Sequence, residues 1–400
     1  MSTTTTQHTQ TAYKDTPIGK IPADWEVKRL GEIVKLSSGK TKPILNNGMG
    51  QYPVFGGNGI MGYSESYNYT GETVIIGRVG EYCGITRYVD EPCWITDNAL
   101  YAKEIAEGVK PIYLAYKLQQ LNLSRYRSKG GQPLISQTMI NPISLPLPPL
   151  SEQKRIAEVL STWDQAIQLT EQLIRQKEQR KKWLMQNLLT GKMRLKGFSG
   201  EWKECKLGSL GDTYNGLTGK SKEDFGKGKP YIPYLNVFNN SRIDIKNLDY
   251  VKITEDDKQN KVKYGDIFFT VSSETPNEVG MASVILDEVD ELYLNSFCFG
   301  FRLFDFNTLI PEFSSYLLRA DTFRAKIYKL SQGATRFNLS KNNLMKLSII
   351  LPSKEEQTAI AEVLQTADKE ISLLRAKAEQ LKEQKKGLMQ QLLTGKKRLL

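Results

Sequence analysis

Histidine is almost missing from this sequence: there is one in 400 residues, His8. That removes His-based acid–base chemistry and His metal sites from consideration. Cysteine is scarce, and Cys83, Cys93, Cys205 and Cys298 form no CxxC pair. Such scatter fits a reducing compartment and argues against a structural zinc. No apolar run approaches the ~18 residues of a membrane span. The opening MSTTTTQHTQ lacks the basic start and apolar middle of a signal peptide. We expect a cytoplasmic protein with a disordered tail over residues 1–17. Nucleotide signatures are also missing. Ser37–Thr41 and Thr218–Ser221 mimic a phosphate loop, but Val34 and Tyr214 stand where its first glycine belongs. Gly77, Gly80 and Gly84 do not make GxGxxG. Pro148-Pro149 lacks the flanking Asn or Asp and the aromatic of an amino-methyltransferase motif. Glu152-Gln153-Lys154 has no partner aspartate nearby, so it does not read as a nuclease triad. These absences point to a chain without a catalytic site or a metal of its own.

What is present is positive charge. The net charge is +11, with a pI near 9.2. An excess of this sign favours a polyanionic partner, because each neutralised phosphate releases a condensed counterion.

The sequence also repeats itself. Leu147–Leu195 aligns without a gap on Leu351–Leu399, at a constant offset of 204 residues. About half of the aligned positions are identical, the sign of a true internal repeat. Each copy follows a proline and ends just before a glycine, Gly191 or Gly395, as long helices do. Apolar residues recur at alternating four and three: Ile156, Leu160, Trp163, Ile167, Ile174, Leu184 and Leu188 in one copy. The other gives Ile360, Leu364, Ala367, Ile371, Leu374, Ala378, Leu381, Leu388 and Leu392. That is a heptad seam, interrupted by Thr170, Lys177 and Lys181 in one copy and Lys385 in the other. Two matched seams in one chain can bury each other. Lys181, Lys182, Lys385 and Lys386 then read as a solvated coil surface, or as contacts to a polyanion.

The segments before and between the repeats are rich in Gly, Asn, Tyr and β-branched residues. They carry strand-like runs at Thr73–Val79, Asp266–Ser272 and Ala282–Leu286. Their mutual likeness is faint but ordered. Trp25 matches Trp202, Gly71-Glu72 matches Gly265-Asp266, and Pro111 with Tyr116 matches Pro311 with Tyr316. The chain therefore divides into residues 18–146, globular; 147–196, helical; 197–350, globular; and 351–400, helical. The start IGKIPADWEVKRLG resembles KGFSGEWKECKLG, which follows the first helix.

Two elements, LPLPPLSEQKRIAEVL and ILPSKEEQTAIAEVL, each lead into a helix ending in LLTGK-R-L. With them the chain resembles the specificity (S) subunits of Type I restriction–modification enzymes, from about Ile18 to Leu400. The resemblance implies an α+β protein. Two α/β target recognition domains would alternate with two long helices paired as an antiparallel coiled coil, with internal pseudo-twofold symmetry. It also implies a sequence-specific DNA-binding subunit that reads a bipartite, asymmetric site. Two methyltransferase (M) subunits would dock on it and motor-nuclease (R) subunits would complete the complex. S-adenosylmethionine, ATP and Mg would sit on those partners, none on this chain.

Base edges are read by Arg, Lys, Asn and Gln, and phosphates by basic and small polar groups. In the first globular segment the candidates are Lys40, Lys42, Asn58, Tyr63, Arg78, Tyr82, Arg87, Asn98, Lys129 and Gln132. In the second they are Lys220, Lys222, Asn236, Asn239, Arg242, Ser272, Ser273, Arg336 and Asn338. Tyr67, Tyr69, Trp94 and Tyr231 read as core rather than as stacking platforms. Two other readings stand beside the leading one: a freestanding two-site DNA-binding architectural or regulatory protein, and an enzyme using carboxylates or cysteine.

Overall fold

The structure is a computed structural model, and it describes residues 12–45, 50–128, 131–333 and 336–399. His8 and Lys129 lie outside the described residues. Four helices organise it: α1 (Pro111–Leu121), α2 (Leu150–Leu188), α3 (Pro311–Leu317) and α4 (Lys354–Leu392). Pro111 and Pro311 open their helices at a position where a missing N–H costs nothing. The two long helices are of equal length, 39 residues each, or ~58 Å at 1.5 Å per residue. Past each helix stands a glycine in the left-handed region, Gly191 at φ 70° and Gly395 at φ 73°. None of the described helices is long and apolar enough to cross a membrane.

Two compact units form, and the division falls inside both long helices. Unit 1 comprises residues up to Glu171 and again from Ala376; unit 2 comprises Gln172–Arg375. Each globular segment is thus built together with half of each helix.

In unit 1 a hairpin of β1 (Tyr13–Thr16) and β2 (Gly19–Pro22) comes first. The tail expected to run to residue 17 is therefore already strand at Tyr13. The Tyr13 hydroxyl donates to the Gly395 carbonyl at 3.1 Å, which anchors the hairpin to the last residues of the chain. Next come β3 (Val34–Ser38), β4 (Tyr52–Gly56), β5 (Gly59–Ser64), β6 (Thr73–Gly77), β7 (Thr86–Val89), β8 (Trp94–Ile95) and β9 (Ala99–Ile105). They make an antiparallel sheet in the order β3-β9-β6-β7 and a second sheet β5-β4-β8, in which β4 and β8 run parallel.

Unit 2 repeats the plan with β10 (Gly211–Asn215), β11 (Phe225–Ile232), β12 (Asp249–Val251), β13 (Ile267–Thr270), β14 (Ser272–Ser273), β15 (Ala282–Val284), β16 (Tyr293–Leu294), β17 (Cys298–Leu303) and β18 (Phe337–Asn338). Its antiparallel sheet is β10-β17-β13-β15. Its second sheet is β12-β11-β16, with β11 and β16 parallel.

The central strands show why the order repeats. In β6, Val74 and Ile76 face one apolar cluster, with Leu114 and Leu118 of α1, while Ile75 faces another with Phe55 and Ile95. In β13, Ile267 and Phe269 face the side of Phe313, and Phe268 faces Ile232 and Leu294. A continuous apolar run is what a strand covered on both faces requires.

Every seam residue read from the heptads is buried or half-buried. Ile156 and Leu160 pack with Trp25, Tyr113, Tyr116 and Leu392 in unit 1. Leu188, Ile360 and Leu364 pack with Phe313, Tyr316 and Leu317 in unit 2. The seam ends therefore serve two surfaces, the opposite helix and the globular core. The helices pair antiparallel: Glu171 meets Lys382 and Asp164 meets Lys385 in unit 1, while Lys177 meets Glu370 and Lys181 meets Asp368 in unit 2.

Candidate nucleic-acid interface

In unit 1, five backbone segments converge at the ends of β3, β4, β6, β8 and β9. Lys40 N–H donates to the Ile95 carbonyl at 2.9 Å, Arg78 N–H to Asn98 at 2.9 Å, and Gly80 N–H to Pro133 at 2.9 Å. Glycine permits the approach. A Cβ on Gly39 would lie 2.3 Å from the carbonyl oxygens of Ile95 and Thr96, and one on Gly77 would lie 2.3 Å from that of Gly57. This edge gathers Lys40, Asn58, Arg78, Tyr82, Asn98 and Gln132, all exposed except Arg78. Arg87 joins them, its guanidinium donating to the Asn58 carbonyl at 2.8 Å. Burial holds the Arg87 guanidinium below its usual pKa. Arg78 donates to the Ser38 hydroxyl at 3.0 Å. Both arginines are therefore oriented by the fold. Lys42 and Tyr63 are exposed on flanking segments, Tyr63 on the edge strand β5. Tyr67, expected in the core, is 49% exposed, its ring edge-on to that of Tyr52 with centroids 4.8 Å apart.

Unit 2 sorts its candidates differently. Ser272 and Ser273 of β14 pair with Asn338 and Phe337 of β18, which brings Ser272, Ser273, Arg336 and Asn338 to one edge. Lys341 joins them by donating to the Asn215 side chain at the end of β10, and Phe297 stands exposed beside Val271. The sequence reading missed Lys341, Asn215 and Phe297; an apolar Phe297 in a loop was the available signal. Lys222 and Asn239 are exposed away from that pairing.

Three expected readers are framework instead. Asn236 is 4% exposed. Its amide donates to the Asp244 and Asn247 carbonyls at 2.8 Å and its oxygen accepts from Asp244 N–H. Nothing is left to address a base. Lys220 is held by Asp257 at 2.5 Å with its side chain 7% exposed. Hydrogen bonds from Lys220 and from the Thr254 N–H pull Asp257 down to about 2. Arg242 donates to the Tyr316 hydroxyl at 2.7 Å and lies over that ring.

The lysines that interrupt the seams are also not free. Lys385 sits 2.6 Å from Asp164, which accepts the Tyr116 hydroxyl at 2.7 Å. Lys181 pairs with Asp368, which accepts the Tyr316 hydroxyl at 2.8 Å. The same three residue types thus tie both helices to the globular part in each unit. Burial and the neighbouring carboxylate raise the pKa of both tyrosines, which stay protonated donors at neutral pH. Only Lys182 and Lys386 of that set remain exposed.

A second pair of polar clusters closes the helix ends. Glu152, 2% exposed, receives Arg398 through two nitrogens at 2.7 and 2.8 Å and Trp25 Nε1 at 2.9 Å. Glu356, 1% exposed, receives Arg194 at 2.5 and 2.6 Å. Gln153 and Gln357 do matched work, each accepting one backbone N–H and donating to two carbonyls. Glu152/Glu356, Gln153/Gln357 and Arg194/Arg398 are three positions identical in both copies of the repeat, and these bonds account for them.

Burial pushes the Cys93 thiol up to about 11 and the Cys298 thiol up to about 12, so neither offers a thiolate near neutral pH. Among the described residues no three His, Cys, Asp or Glu side chains gather to hold a metal.

The comparisons agree with this architecture. The family model described as "Type I restriction modification DNA specificity domain" matches residues 22–179 and again 199–383. The MjaVIII specificity subunit of Methanocaldococcus jannaschii is 28% identical, over 95% of this chain and 94% of its own. The EcoprrI specificity subunit of Escherichia coli is 31% identical over 34% of this chain and 35% of its own. Among solved structures, the S subunit from M. genitalium has a TM-score of 0.61 at 16% identity, covering 92% of this chain and 96% of that one. The HsdS subunit from Thermoanaerobacter tengcongensis has a TM-score of 0.51 at 18% identity, covering 96% and 100%. The chain belongs to the Type I restriction–modification DNA specificity family and carries that family's domain twice.

Proposed function

We propose that this chain is the DNA-reading subunit of a Type I restriction–modification complex. Each unit reads one half of a bipartite, asymmetric site, through the strand-end edge that carries Lys40, Asn58, Arg78 and Asn98 in unit 1. In unit 2 the edge carries Ser272, Arg336, Asn338 and Lys341. Two methyltransferase subunits dock on the helical regions, and motor-nuclease subunits complete a cytoplasmic complex. S-adenosylmethionine, ATP and Mg belong to those partners. The chain itself performs no chemical step.

One observation carries this reading. The family domain occurs twice on a shared framework, with matched polar clusters and sheet order, while the side chains at the strand-end edges differ. Shared framework suits two copies of one partner; divergent edges suit two DNA half-sites. The test is to replace residues 200–345 with the corresponding domain of a relative and sequence the methylome of a host carrying the methyltransferase. A change in one half of the methylated site supports the reading. A change in both halves overturns it. A freestanding regulator would bind DNA yet leave the methylome unaltered when removed.

A further inference from the structure

Unit 1 contains a cavity of about 640 Å³ between the β1–β2 hairpin and the end of α1. Three cations line it, Lys20, Lys117 and Arg125, with Gln120, Tyr126 and Thr394. Among the described residues no carboxylate does.

Lys117 is the unusual member. It is 3% exposed. Its ammonium donates to Gln120 Oε1 at 2.8 Å and to the Leu393 carbonyl at 2.9 Å. An ammonium has a third N–H, and no acceptor for it occurs among the described residues. No carboxylate pairs with it either. Burial without a counter-charge pushes Lys117 down to about 8. A buried cation in that condition is a standing cost to the fold.

The internal repeat supplies a control. At the place of Lys117 unit 2 has Leu317, and at the place of Gln120 it has Ala320. The cavity there is about 270 Å³ and is lined by Leu189, Trp202, Leu317, Phe323, Ile349 and Ile350, and among the described residues Lys326 is the one cation on its wall. Leucine therefore satisfies the same framework, and the helix end at Leu188 closes beside it. The lysine of unit 1 answers to something other than the fold.

We propose that this cavity binds a phosphate-type oxyanion, with Lys117 as the buried donor and Lys20 and Arg125 at the mouth. The Arg125 guanidinium lies 5.0 Å from the Tyr126 ring centroid and donates to its hydroxyl at 3.0 Å, which holds it in place. The phosphate comes from solution, as a free or nucleotide-borne group, or from the backbone of DNA.

The experiment follows the thermal unfolding of the full chain with inorganic phosphate, against chloride at equal ionic strength. Phosphate should raise Tm saturably by about 2–4 °C in the wild type. Lys117→Leu, which installs the residue that unit 2 uses, should lose the response. Arg125→Ala removes an exposed side chain and should weaken it, and it stands in if Lys117→Leu does not fold. Duplex binding across a salt series separates the sources. If backbone phosphate occupies the site, each variant lowers the salt slope by about 0.9 per lost contact. If the ligand is free phosphate, the slope is unchanged while the thermal response disappears. A phosphate response no different from chloride, together with an unchanged slope, overturns the proposal. So does a full wild-type response in both variants.

Discussion

Lys385 lies over the ring of Tyr116, its ammonium 4.9 Å from the ring centroid, while both polar heads bind the one carboxylate of Asp164. Tyr316, Lys181 and Asp368 repeat the arrangement. Each cluster fastens α1 or α3 to both long helices at one point. It also fixes helix register, since a shift by one residue would carry the carboxylate away from the lysine.

The clusters should behave as coupled units. A double-mutant cycle on Asp164→Asn and Lys385→Met should give a coupling of about 1–3 kcal/mol, read by denaturant unfolding. The same cycle on Asp368 and Lys181 should give a similar value. Additive effects at both places would show that the clusters do not hold the helices.

Removing Arg398 should cost more. Arg398→Ala strands Glu152, and Arg194→Ala strands Glu356, in sites where each carboxylate is nearly inaccessible. The expected loss is about 3–5 kcal/mol for Arg398→Ala, and a smaller loss in the same direction for the more exposed Arg194. A loss below about 1 kcal/mol in Arg398→Ala, with Glu152 still ionised, would count against the burial described.

Lys117 should leave a signature in alkaline solution. Its folded pKa of about 8 lies below the ordinary 10.5, so between those values the unfolded chain holds the extra proton. Stability then rises with pH across that interval, and the penalty is fully present below about 8. Above about pH 10 buried tyrosines such as Tyr113, with raised pKa, act the other way, because the unfolded state releases their protons first. The buried thiols of Cys93 and Cys298, raised from an ordinary 9.0, oppose the slope in the same way from about pH 9, so the clean interval is about 8 to 9. Lys117→Leu should lose this slope and, in phosphate-free buffer at pH 7, gain up to about 3 kcal/mol, less the lost bond to Leu393. Equal pH profiles for variant and wild type would contradict this.

DNA affinity should separate the exposed candidates from the framework ones. Lys40→Ala should weaken duplex binding at unchanged stability, and Arg78→Ala should weaken binding by the folded fraction, each with a salt slope lower by about 0.9 if the lost contact is to phosphate. Asn236→Ala should do the reverse: unfolding eased by about 1–3 kcal/mol and binding by the folded fraction intact. Wild-type affinity in both Arg78→Ala and Lys40→Ala would remove the unit 1 edge from the interface.

Gly395 and Gly191 test the helix ends. Both have positive φ, but a Cβ on Gly395 would lie 2.4 Å from Pro22 Cδ, whereas on Gly191 the nearest atoms are 3.4 Å away on Trp202. Gly191→Ala should cost about 1 kcal/mol and Gly395→Ala distinctly more. Equal costs by thermal unfolding would rule out the hairpin clash.

Much of this was legible in the sequence, and the parts that were not share a cause. The helices, their seams and the shared plan of the globular segments follow from periodicity and repetition, which are local or self-referential. The seam-breaking lysines were read as surface because a polar residue at a core position has no meaning until its partner is known. Asp164 and Asp368 occupy identical places in the repeat, as do Lys181 and Lys385, so the pairing could have been suspected. Asn236, Lys220 and Arg242 were taken for readers because residue type says what a side chain can bind, not which way it points. Their partners Asp244, Asp257 and Tyr316 lie 8, 37 and 74 residues away. The β1–β2 hairpin escaped notice because TPIGKIP carries no alternating pattern; its anchor is Gly395.

The division of the chain between the two units sets an order of manufacture. Unit 2 is one unbroken stretch, Gln172–Arg375, while unit 1 is completed by residues from Ala376 onward. A ribosome therefore releases every residue of the second unit while the first still lacks the helix half that carries Leu392, Lys385 and Arg398. Until translation passes Arg398, Glu152 has no arginine, Asp164 no lysine and Tyr13 no Gly395 carbonyl near which to settle. The first unit to be started is the last that can close.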